Sequence, residues 1–407
     1  MDPLGYLFGL EQFGIKFGLD NIIAIVERLG RPDRAYRTVH VAGTNGKGSV
    51  TAMTDAALRA AGHRSARYTS PHLIDITERF VIDGAPVPQS ALIAATTDVR
   101  DAVESLRADR TLSTQPTFFE VTTAIALELF RRARVEVAVL EVGLGGRLDA
   151  TNVVTPIATA ITSIAFDHQQ YLGSTLADIA FEKAGIIKPG VPIVVGELDA
   201  EARDVIVRVA RERGARLVEA ARSDADGFAI GLRGAHQAIN AAVAVRLLEL
   251  VDGAGVRVPR EAAAEGVRNP HWPARLDERV LSDGRSLLLD AAHNPAGAAA
   301  LASYLQADPP PRPLVFAAMR DKDVDSMLRA LLPAVSRLVV TRASNARSAE
   351  PRALADRAHV IAPAIAITVE DSLDAALADA WRDSPRVVVA GSIFLLGDVM
   401  QRVGLHL

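Results

Sequence analysis

The chain has 407 residues, 49% of them hydrophobic and 23% charged, a formal net charge of −4 and no cysteine. This length predicts two or three domains at roughly 150 residues each, and the apolar fraction excludes a disordered chain. The charge balance argues against a nucleic-acid partner. No apolar run reaches the ~18 residues of a membrane span, and no signal peptide is expected at the N-terminus. Because the chain cannot form disulfides, the cytoplasm is the expected compartment.

Apolar runs of strand length alternate with helical patterns through the first part of the chain. Strands are predicted at Thr38–Ala42, Arg64–Tyr68, Val135–Val142, Ala158–Ile164 and Pro192–Gly196. Helices are predicted at Lys47–Ala61, Phe118–Arg132, Leu176–Ala184 and Ala235–Val251, the first and third of them ending at Gly62 and Gly185. Strands rich in Val, Ile and Ala without polar alternation are typical of a parallel sheet covered on both faces. The pattern therefore predicts a doubly wound α/β domain.

The strand and helix pattern restarts after a polar, proline-containing stretch at residues 269–273. Strands are predicted at Glu278–Leu281, Ser286–Asp290, Leu314–Ala318, Arg337–Thr341, Ile365–Val369 and Arg386–Ala390, with a helix beginning at Pro295. A second, smaller α/β domain is therefore expected, with the boundary near residues 274–280. We predict domains at residues 1–276 and 277–407.

A glycine-rich turn follows the first predicted strand and opens the first predicted helix. It reads Gly43-Thr44-Asn45-Gly46-Lys47-Gly48-Ser49. Backbone N–H groups in such a turn, together with a helix N-terminus, form a cradle for an anion. Lys47 can reach the outer phosphates of a nucleotide and Ser49 offers a hydroxyl to Mg²⁺, although the pattern G-x-x-x-x-G-K-[ST] is not met. The alternative is a glycine-rich turn without a ligand.

A carboxylate ends the predicted strand at residues 135–142. Glu141 is followed by Gly143, Gly145 and Gly146 and then by Asp149. In this fold class the carboxyl end of a central strand lies beside the phosphate loop, and burying a carboxylate there is costly unless a cation pairs with it. Mg²⁺ bridged to phosphates is such a cation. The alternative is a carboxylate that only caps the end of a strand.

Together these motifs resemble the nucleotide loop and following segments of the Mur-ligase superfamily, and more narrowly the folylpolyglutamate synthase/dihydrofolate synthase family. The resemblance extends over residues 14–397, with the motifs in the family's order. It implies a P-loop-type, mostly parallel sheet ATPase domain followed by a smaller C-terminal Rossmann-like α/β domain. It also implies an ATP-dependent ligase that joins a pteroate or folate carboxylate to L-glutamate through an acyl phosphate.

The resemblance assigns nucleotide and catalytic roles to positions in both domains. ATP would be bound by Asn45, Gly46, Lys47, Gly48, Ser49, Asn240, Arg275 and Asp290. Lys47, Lys183 and His293 would act in catalysis, with Lys183 at the position of the family's carbamylated lysine. A lysine near a helix C-terminus also has a purely structural explanation, because it interacts favourably with the helix dipole. Two neighbouring positions depart from the family's pattern. Ala274, before Arg275, and Ala291, after Asp290, stand where the family usually has glycine.

The resemblance further implies two Mg²⁺ sites and a pteroate pocket. The implied metal ligands are Ser49, Ser70, Glu141 and His168. The implied pteroate-binding residues are Lys16, Phe17, Gly18, Thr117, Phe118, Phe119, Glu120, Leu148, Asp149 and Ala150. Thr117 and Glu120 also have the spacing of a helix capping box, so a structural role alone would account for these two residues. The family leads us to expect a monomer.

Two other functions are compatible with parts of the sequence. A cell-wall peptide ligase of the same superfamily would use a UDP-linked substrate, but the phosphate loop arrives by residue 43, with no sugar-nucleotide domain before it. A nucleotide-dependent switch without ligase activity would not need the implied metal ligands or the acidic and histidine residues of the second domain. Dihydropteroate or folates, L-glutamate and ATP are therefore the predicted partners, with no nucleic acid or membrane.

Overall fold

A computed structural model describes residues 2–14 and 16–405 of the chain. The chain divides into two compact units, and the division is not linear in sequence. The first unit comprises residues 1–164, 174–231 and 239–271, and the second comprises residues 165–173, 232–238 and 272–407. Two short segments that interrupt the first unit thus belong to the second.

The first unit is built on an eight-stranded sheet. Its strands are β1 (Arg37–Ala42), β2 (Ser65–Tyr68), β3 (Phe80–Ile82), β4 (Ala85–Pro86), β5 (Val137–Glu141), β6 (Ala158–Ile161), β7 (Ile193–Val195) and β8 (Leu217–Glu219). The strand order is β4-β3-β2-β5-β1-β6-β7-β8. The β2–β3 and β3–β4 pairings are antiparallel and the others are parallel. The sheet is therefore mostly parallel, as predicted.

Ten helices occur before residue 270 in the described part of the chain; the sixth, at residues 169–172, belongs to the second unit, and the other nine lie wholly or mostly in the first. They are α1 (Pro3–Gly9), α2 (Asp20–Arg28), α3 (Lys47–Ala60), α4 (Gln89–Ala108), α5 (Phe118–Arg132), α6 (Gln169–Leu172), α7 (Leu176–Ala184), α8 (Ala200–Glu212), α9 (Gln237–Gly253) and α10 (Arg260–Arg268). Every residue of β2, β5, β6 and β7 is buried. Burial on both faces explains why these strands lack polar alternation.

The second unit contains a six-stranded sheet. Its strands are β9 (Asp277–Val280), β10 (Ser286–Leu289), β11 (Leu314–Phe316), β12 (Leu338–Val340), β13 (Ile367–Val369) and β14 (Arg386–Ala390), in the order β13-β12-β11-β14-β10-β9. Only β9 is antiparallel to its neighbour. The helices of this part are α11 (Pro295–Gln306), α12 (Val324–Leu331), α13 (Pro351–Ile361), α14 (Leu373–Ala380) and α15 (Ile393–Arg402).

The register of the first sheet brings four strand ends together. Val41 of β1 pairs with Glu141 of β5, Tyr68 of β2 pairs with Leu140, and Ala42 pairs with Ile161 of β6. Because these strands are parallel, the segments that follow them leave the sheet at the same edge. The glycine-rich turn, Ser70 and Glu141 are therefore neighbours in space, although the chain separates them widely.

A predicted strand end and the expected role of a glycine after a helix differ from the structure for identifiable reasons. The strand predicted at residues 158–164 ends at Ile161, because the hydroxyls of Thr162 and Ser163 donate to Asn45 O at 2.5 and 3.0 Å and draw these residues towards the glycine-rich turn. Helix α7 ends at Gly185 with a right-handed φ of −60°, so left-handed capping is not the reason for this glycine. A Cβ there would lie 2.3 Å from Arg147 Cα, so close packing requires glycine.

No helix in residues 2–14 and 16–405 is both long enough and apolar enough to cross a membrane.

Candidate active site

The glycine-rich turn at residues 43–46 depends on its two outer glycines. Gly43 has φ 149° and Gly46 has φ 83°, conformations that side-chain-bearing residues rarely adopt. A Cβ on Gly43 would lie 1.9 Å from Thr162 Oγ1, and a Cβ on Gly46 would lie 2.3 Å from Asn240 Oδ1. The predicted nucleotide residue Asn240 therefore packs directly against the turn.

Two residues after β6 fix the turn, and the sequence prediction did not assign them a role. Thr44 N donates to Ser163 O at 2.8 Å, and Asn45 N donates to Ser163 Oγ at 3.0 Å. The hydroxyl of Thr162 donates to Asn45 O. Their position after a strand adjacent to β1 is the signal that could have revealed them, because ligand sites of such sheets lie beyond the carboxyl ends of neighbouring strands.

Helix α3 begins directly after the turn, at Lys47. Its N-cap is Gly46, which has no side chain that could cap the first turn. The N–H groups of a first turn without such a cap are directed at an anion-binding position, and the helix dipole adds partial positive charge there. Ser49 lies in this turn with 2% exposure.

Two lysine ammonium groups converge on the turn. Lys47 Nζ donates to Gly43 O and to Thr44 O, each at 3.1 Å. Lys183 Nζ, at the end of α7, donates to the same Gly43 O at 2.9 Å, although its side chain is almost fully buried. The sequence placed both lysines in catalysis, and the structure brings them to one atom.

Glu141 lies at the end of β5 with 5% exposure. Its Oε2 accepts a hydrogen bond from Ser70 N at 3.3 Å. Arg67 on β2 lies nearby: burial lowers the pKa of its guanidinium, and the carboxylates of Asp55 and Glu141 oppose this. Arg67 Nη1 is 3.5 Å from Asp55 Oδ2. The positive charge of Arg67 thus partly balances the negative charge of the buried Glu141 carboxylate.

The donors around Glu141 fit a magnesium ion bound together with a nucleotide. In residues 2–14 and 16–405 there is no group of three or more His, Cys, Asp or Glu side chains that could hold a metal by themselves. Mg²⁺ usually binds through one or two carboxylates plus substrate phosphates and water. One buried carboxylate beside an anion cradle, with the hydroxyls of Ser49 and Ser70 on neighbouring segments, is such a donor set.

The predicted pteroate segment at the start of α5 has the capping box and the two aromatic side chains that the sequence indicates. Thr117 and Glu120 form a capping box, in which Glu120 N donates to Thr117 Oγ1 at 3.2 Å and Thr117 N donates to Glu120 Oε2 at 2.7 Å. The Phe119 ring lies against Gly143, where a Cβ would be 2.5 Å from Cζ. The Arg79 guanidinium lies over the Phe118 ring, 5.2 Å from its centroid. The Phe119 ring therefore lies against the loop that follows β5, whereas the Phe118 ring contacts Arg79.

Asp149 holds the loop that follows β5 in place by hydrogen bonds to other residues of the same loop. Oδ2 accepts from Leu144 N at 2.8 Å, and Oδ1 accepts from Thr151 N at 3.0 Å and from the Thr151 hydroxyl. Since the one hydroxyl proton of Thr151 goes to Asp149, His40 Nε2, 2.8 Å from Thr151 Oγ1, carries the proton and donates. Burial, aided by the charge of Lys188, lowers the pKa of His40 to about 3, which keeps it neutral. Neighbouring Leu148 is half-buried and Ala150 is buried.

The predicted N-terminal pteroate segment is held to the rest of the first unit by a hydrogen bond. Lys16 Nζ donates to Thr114 Oγ1 at 2.6 Å. Phe17 is 42% exposed, and Gly18 has φ 131°.

His168 lies in the second unit, in an ion-paired cluster around Asp167. Lys322 Nζ is 2.6 Å from Asp167 Oδ1 and 3.3 Å from His168 Nε2. Asn294 Nδ2 donates to Asp167 Oδ2 at 3.1 Å, and His293 Nε2 is 3.5 Å from the same oxygen. The structure thus brings the predicted metal ligand His168 together with the predicted catalytic His293. Asp167 and Lys322 connect them, and the sequence prediction gave these two residues no role.

Lys322→Met should lower the free energy of unfolding of the second unit by about 3 kcal/mol, because it leaves the largely buried Asp167 carboxylate without its closest cation. Both tryptophans, Trp272 and Trp381, belong to this unit, so denaturant unfolding followed by tryptophan fluorescence reports on it. The control is Arg402→Met, which removes an ion pair whose partners are each 60% exposed and should cost less than ~1 kcal/mol. Equal losses from the two variants would contradict the prediction.

The same cluster predicts a pH dependence. Burial raises the pKa of Asp167, but the hydrogen bond from His293 and the positive charges of Lys322, His293 and His168 outweigh burial and hold the pKa well below its usual range. A carboxylate with a lowered folded pKa stabilises the fold above its unfolded pKa of ~3.9, and this contribution is lost as the pH falls below that value. Unfolding measured between pH 7 and pH 3 should show a smaller acid-induced loss in Lys322→Met than in the unsubstituted protein.

Arg275 lies in a turn of the second unit next to Asp290. Its guanidinium lies over the Trp272 ring, 5.6 Å from the centroid, and its Nη1 donates to Ala274 O at 2.9 Å. Asp290, after β10, is buried, and both of its carboxylate oxygens accept backbone N–H groups at 2.9 Å. His293 is more exposed, and its Nδ1 is 2.8 Å from Ala291 O.

Two family models match the chain. Residues 41–226 match the Mur ligase middle domain, and residues 275–393 match the Mur ligase glutamate ligase domain. The first match contains the glycine-rich turn, Glu141 and Lys183, and the second contains Arg275, Asp290 and His293. These matches span the two regions in which the geometry places the predicted residues.

Two relatives are similar over 98% of the chain. The chain is 37% identical, over 98% of its length, to a probable bifunctional folylpolyglutamate synthase/dihydropteroate synthase of Haloferax volcanii, but it spans only 50% of that protein. It is 33% identical to the folylpolyglutamate synthase of Lacticaseibacillus casei, over 98% of this chain and 97% of that protein. The length shared with the second relative shows that the similarity is not confined to one domain.

A solved structure agrees in fold with the whole chain. It is a bifunctional folylpolyglutamate synthase/dihydrofolate synthase with Mn, AMPPNP and L-glutamate bound, with a TM-score of 0.86 and 30% sequence identity over 100% of this chain and 98% of that one. The resemblance and the fold class predicted from the sequence are thereby confirmed. The chain belongs to the folylpolyglutamate synthase/dihydrofolate synthase family of ATP-dependent glutamate ligases, within the Mur-ligase superfamily.

Proposed function

We propose that this chain joins dihydropteroate to L-glutamate and also adds glutamate to folates. The observation that carries the proposal is the glycine-rich turn, whose Gly43 O and Thr44 O accept hydrogen bonds from Lys47 Nζ directly before the start of α3. This arrangement favours a multiply charged anion such as the triphosphate of ATP. The Mn-, AMPPNP- and glutamate-bound relative supports a nucleotide and an amino acid as substrates.

The chemistry needs a way to activate a carboxylate, whose leaving group would otherwise be oxide. Transfer of the γ-phosphoryl group from ATP to the pteroate carboxylate gives an acyl phosphate and ADP. The glutamate amine then attacks the acyl carbon, loses a proton, and phosphate leaves with the electron pair of the broken C–O bond. Phosphoryl transfer requires positioning and charge neutralisation more than covalent participation by the protein.

Lys47 is the residue we assign to the transferred phosphoryl group, because its ammonium already lies at the turn. Asn45, Gly46, Gly48 and Asn240 shape the surrounding cradle. We assign Arg275 and Asp290 to the nucleotide side of the second unit and His293 to the reacting end. Residues 1–276 would bind ATP and pteroate, and residues 277–407 would bind glutamate.

Ser49, Ser70, Glu141 and His168 are the residues that would hold magnesium, in the two sites that the sequence predicts. When bound, magnesium would neutralise phosphate charge during transfer. For Lys183 we propose carbamylation, which requires a neutral amine and CO₂ and is not available to arginine. Incubation of the folded protein with ¹³CO₂ followed by ¹³C NMR should show one carbamate resonance, and Lys183→Arg should lack it.

The aromatic segment at α5 and the N-terminal segment supply the proposed pteroate pocket. Phe119 lies against Gly143 at the start of the 143–151 loop, Phe118 is the adjacent residue on α5, and Phe17 is 42% exposed. Flat heterocycles stack favourably on such rings. Lys16, Gly18, Thr117, Glu120, Leu148, Asp149 and Ala150 would shape this pocket, in part through the backbone geometry that the capping box and Asp149 impose.

A single assay tests the proposal. The protein is incubated with ATP, Mg²⁺, L-glutamate and dihydropteroate, and both phosphate release and amide formation are measured. We expect phosphate release that depends on both organic substrates, with dihydrofolate as the product. Phosphate release that needs neither substrate, without a new amide, would indicate a nucleotide switch. Activity only with a UDP-linked peptide precursor would indicate a cell-wall ligase.

A further inference from the structure

A histidine lies in the interior of the first sheet. His40, on β1, pairs in register with Leu140 of β5 on one side and with Thr159 of β6 on the other, and its side chain is 0% exposed. Because its strand is hydrogen-bonded along both edges, the imidazole is held at a fixed position beneath the loops that leave the sheet. No substrate touches a side chain that is fully buried, so any function of His40 has to act through its neighbours.

The imidazole makes a single hydrogen bond. Nδ1 has no hydrogen-bond partner among the residues that the structure describes, whereas Nε2 lies 2.8 Å from Thr151 Oγ1. Burial, aided by the charge of Lys188, lowers the pKa of His40 to about 3, so the ring stays neutral. A buried nitrogen without a partner costs free energy, and an apolar side chain of similar size would avoid this cost. What histidine adds at this position is therefore its bond to Thr151.

That bond determines the direction of the Thr151 hydroxyl. Thr151 Oγ1 accepts the proton of His40 Nε2, so its own single proton is donated elsewhere, and the acceptor is Asp149 Oδ1. A hydroxyl that accepts a hydrogen bond is polarised and donates more strongly. Without His40 the hydroxyl would be free to rotate. A continuous series of hydrogen bonds thus connects the central strand β1 to the Asp149 carboxylate.

Asp149 connects the beginning and the end of the loop that follows β5. Its Oδ1 also accepts from Thr151 N at 3.0 Å, and its Oδ2 accepts from Leu144 N at 2.8 Å. Burial raises the pKa of Asp149, and hydrogen bonds from Thr151, Leu144 and Gly143 oppose that rise. Because one carboxylate holds both ends of the loop, a change in its orientation alters the whole loop. The loop includes the residues on either side of Asp149, which are predicted to bind pteroate.

We propose that His40 is a positioning residue for the pteroate substrate: through the Thr151 hydroxyl it fixes the Asp149 carboxylate and the 143–151 loop in the geometry that binds dihydropteroate, without touching the substrate itself. The proposal rests on the proposed function, in which this loop lines the pteroate pocket. All three residues lie in the first unit. The proposal gives a role to a strand residue to which the sequence prediction assigned none.

The test is a double-mutant cycle on dihydropteroate affinity, measured by isothermal titration calorimetry with Mg²⁺ and AMPPNP present. His40→Leu removes the N–H donor, Thr151→Val removes the hydroxyl at nearly constant shape, and the double variant lacks both. Each single variant should weaken dihydropteroate binding roughly tenfold, because small displacements of binding groups have large effects. The double variant should be no weaker than the more affected single variant. Multiplication of the two single effects would overturn the proposal.

A conservative variant separates the hydrogen bond from the volume of the side chain. His40→Gln keeps an N–H donor near the position of Nε2 and should bind dihydropteroate more tightly than His40→Leu. Equal weakening in the glutamine and leucine variants would contradict the proposal, because only the volume of the side chain would then matter.

Kinetics distinguish positioning of one substrate from a general loss of structure. His40→Leu should raise the KM for dihydropteroate with little change in kcat, since the loop binds this substrate throughout the reaction. The KM for ATP and the affinity for AMPPNP should remain unchanged. Equal losses of dihydropteroate and AMPPNP affinity would indicate that the whole sheet is disturbed, and they would overturn the proposal.

Thr159→Val is the matched control. Thr159 is in register with His40 on the neighbouring strand and is equally buried, but its hydroxyl donates to Pro192 O at 3.2 Å, away from the loop. This variant should bind dihydropteroate normally, and a loss equal to that of His40→Leu would count against the proposal.

Two further outcomes are informative. If His40→Leu does not fold, Thr151→Val decides the question, and native dihydropteroate affinity in that variant overturns the proposal. If the unsubstituted protein binds AMPPNP but no dihydropteroate, the proposed function fails. This result is distinct from a multiplicative cycle in a protein that does bind dihydropteroate.

Discussion

Lys47→Met is expected to reduce ATP-dependent amide formation by on the order of 10³-fold, because it removes the positive charge closest to the proposed phosphate position. Lys47 Nζ already lies 3.1 Å from two carbonyl oxygens of the glycine-rich turn, so the ammonium is placed before any ligand arrives. Lys47→Arg should restore little activity, since a planar guanidinium does not fit the two-carbonyl contact of an ammonium. Product formation is measured at saturating glutamate and dihydropteroate over a range of ATP concentrations.

The matched control for Lys47 is Arg208→Met on α8. Arg208 also carries a positive charge on a helix of the first unit, but its side chain is 56% exposed and pairs with Glu212. This variant should have normal kcat and normal KM for ATP. An active Lys47→Met protein with an unchanged melting temperature would remove Lys47 from the phosphate site.

Glu141→Gln should lower kcat by about 10³-fold or more while leaving the fold intact, because the amide keeps the size of the side chain but loses its charge. The structure buries this carboxylate at the end of a central strand, where Ser70 N donates to it. Apparent affinity for Mn²⁺ in the presence of AMPPNP, followed by electron paramagnetic resonance, should fall together with turnover. Circular dichroism and thermal unfolding verify that the fold is retained.

Glu219→Gln provides the comparison for Glu141. Glu219 also ends a parallel strand of the same sheet, but it is on the edge strand β8 and its side chain is 47% exposed and paired with Arg203. Its loss should change neither turnover nor Mn²⁺ affinity. Near-normal turnover in Glu141→Gln, or an equal effect in Glu219→Gln, would show that Glu141 is not a metal ligand.

Local sequence predicted most of the strands and helices that support the site. Helix α5 at residues 118–132, helix α7 at residues 176–184 and strand β14 at residues 386–390 were predicted with their observed bounds. Capping residues, apolar periodicity and glycine turns act over a few residues, so the sequence contains them directly. The short strands β3, β4 and β8 were not predicted; β4 and β8 are edge strands without a buried residue, so they lack the buried apolar run that marks the equally short strands β7 and β11.

The sequence by itself determined the order of the motifs and the residue types available for phosphate and metal chemistry. Only the tertiary structure decided which of them meet: Lys183 reaches Gly43 O across 140 residues of chain, and Lys322 reaches Asp167 across 155. It also decided that Asp290 binds the turn beside Arg275. The physical reason is that such contacts depend on which strands are neighbours in a sheet and on where buried charges find partners, and neither is set by the periodicity of a single segment.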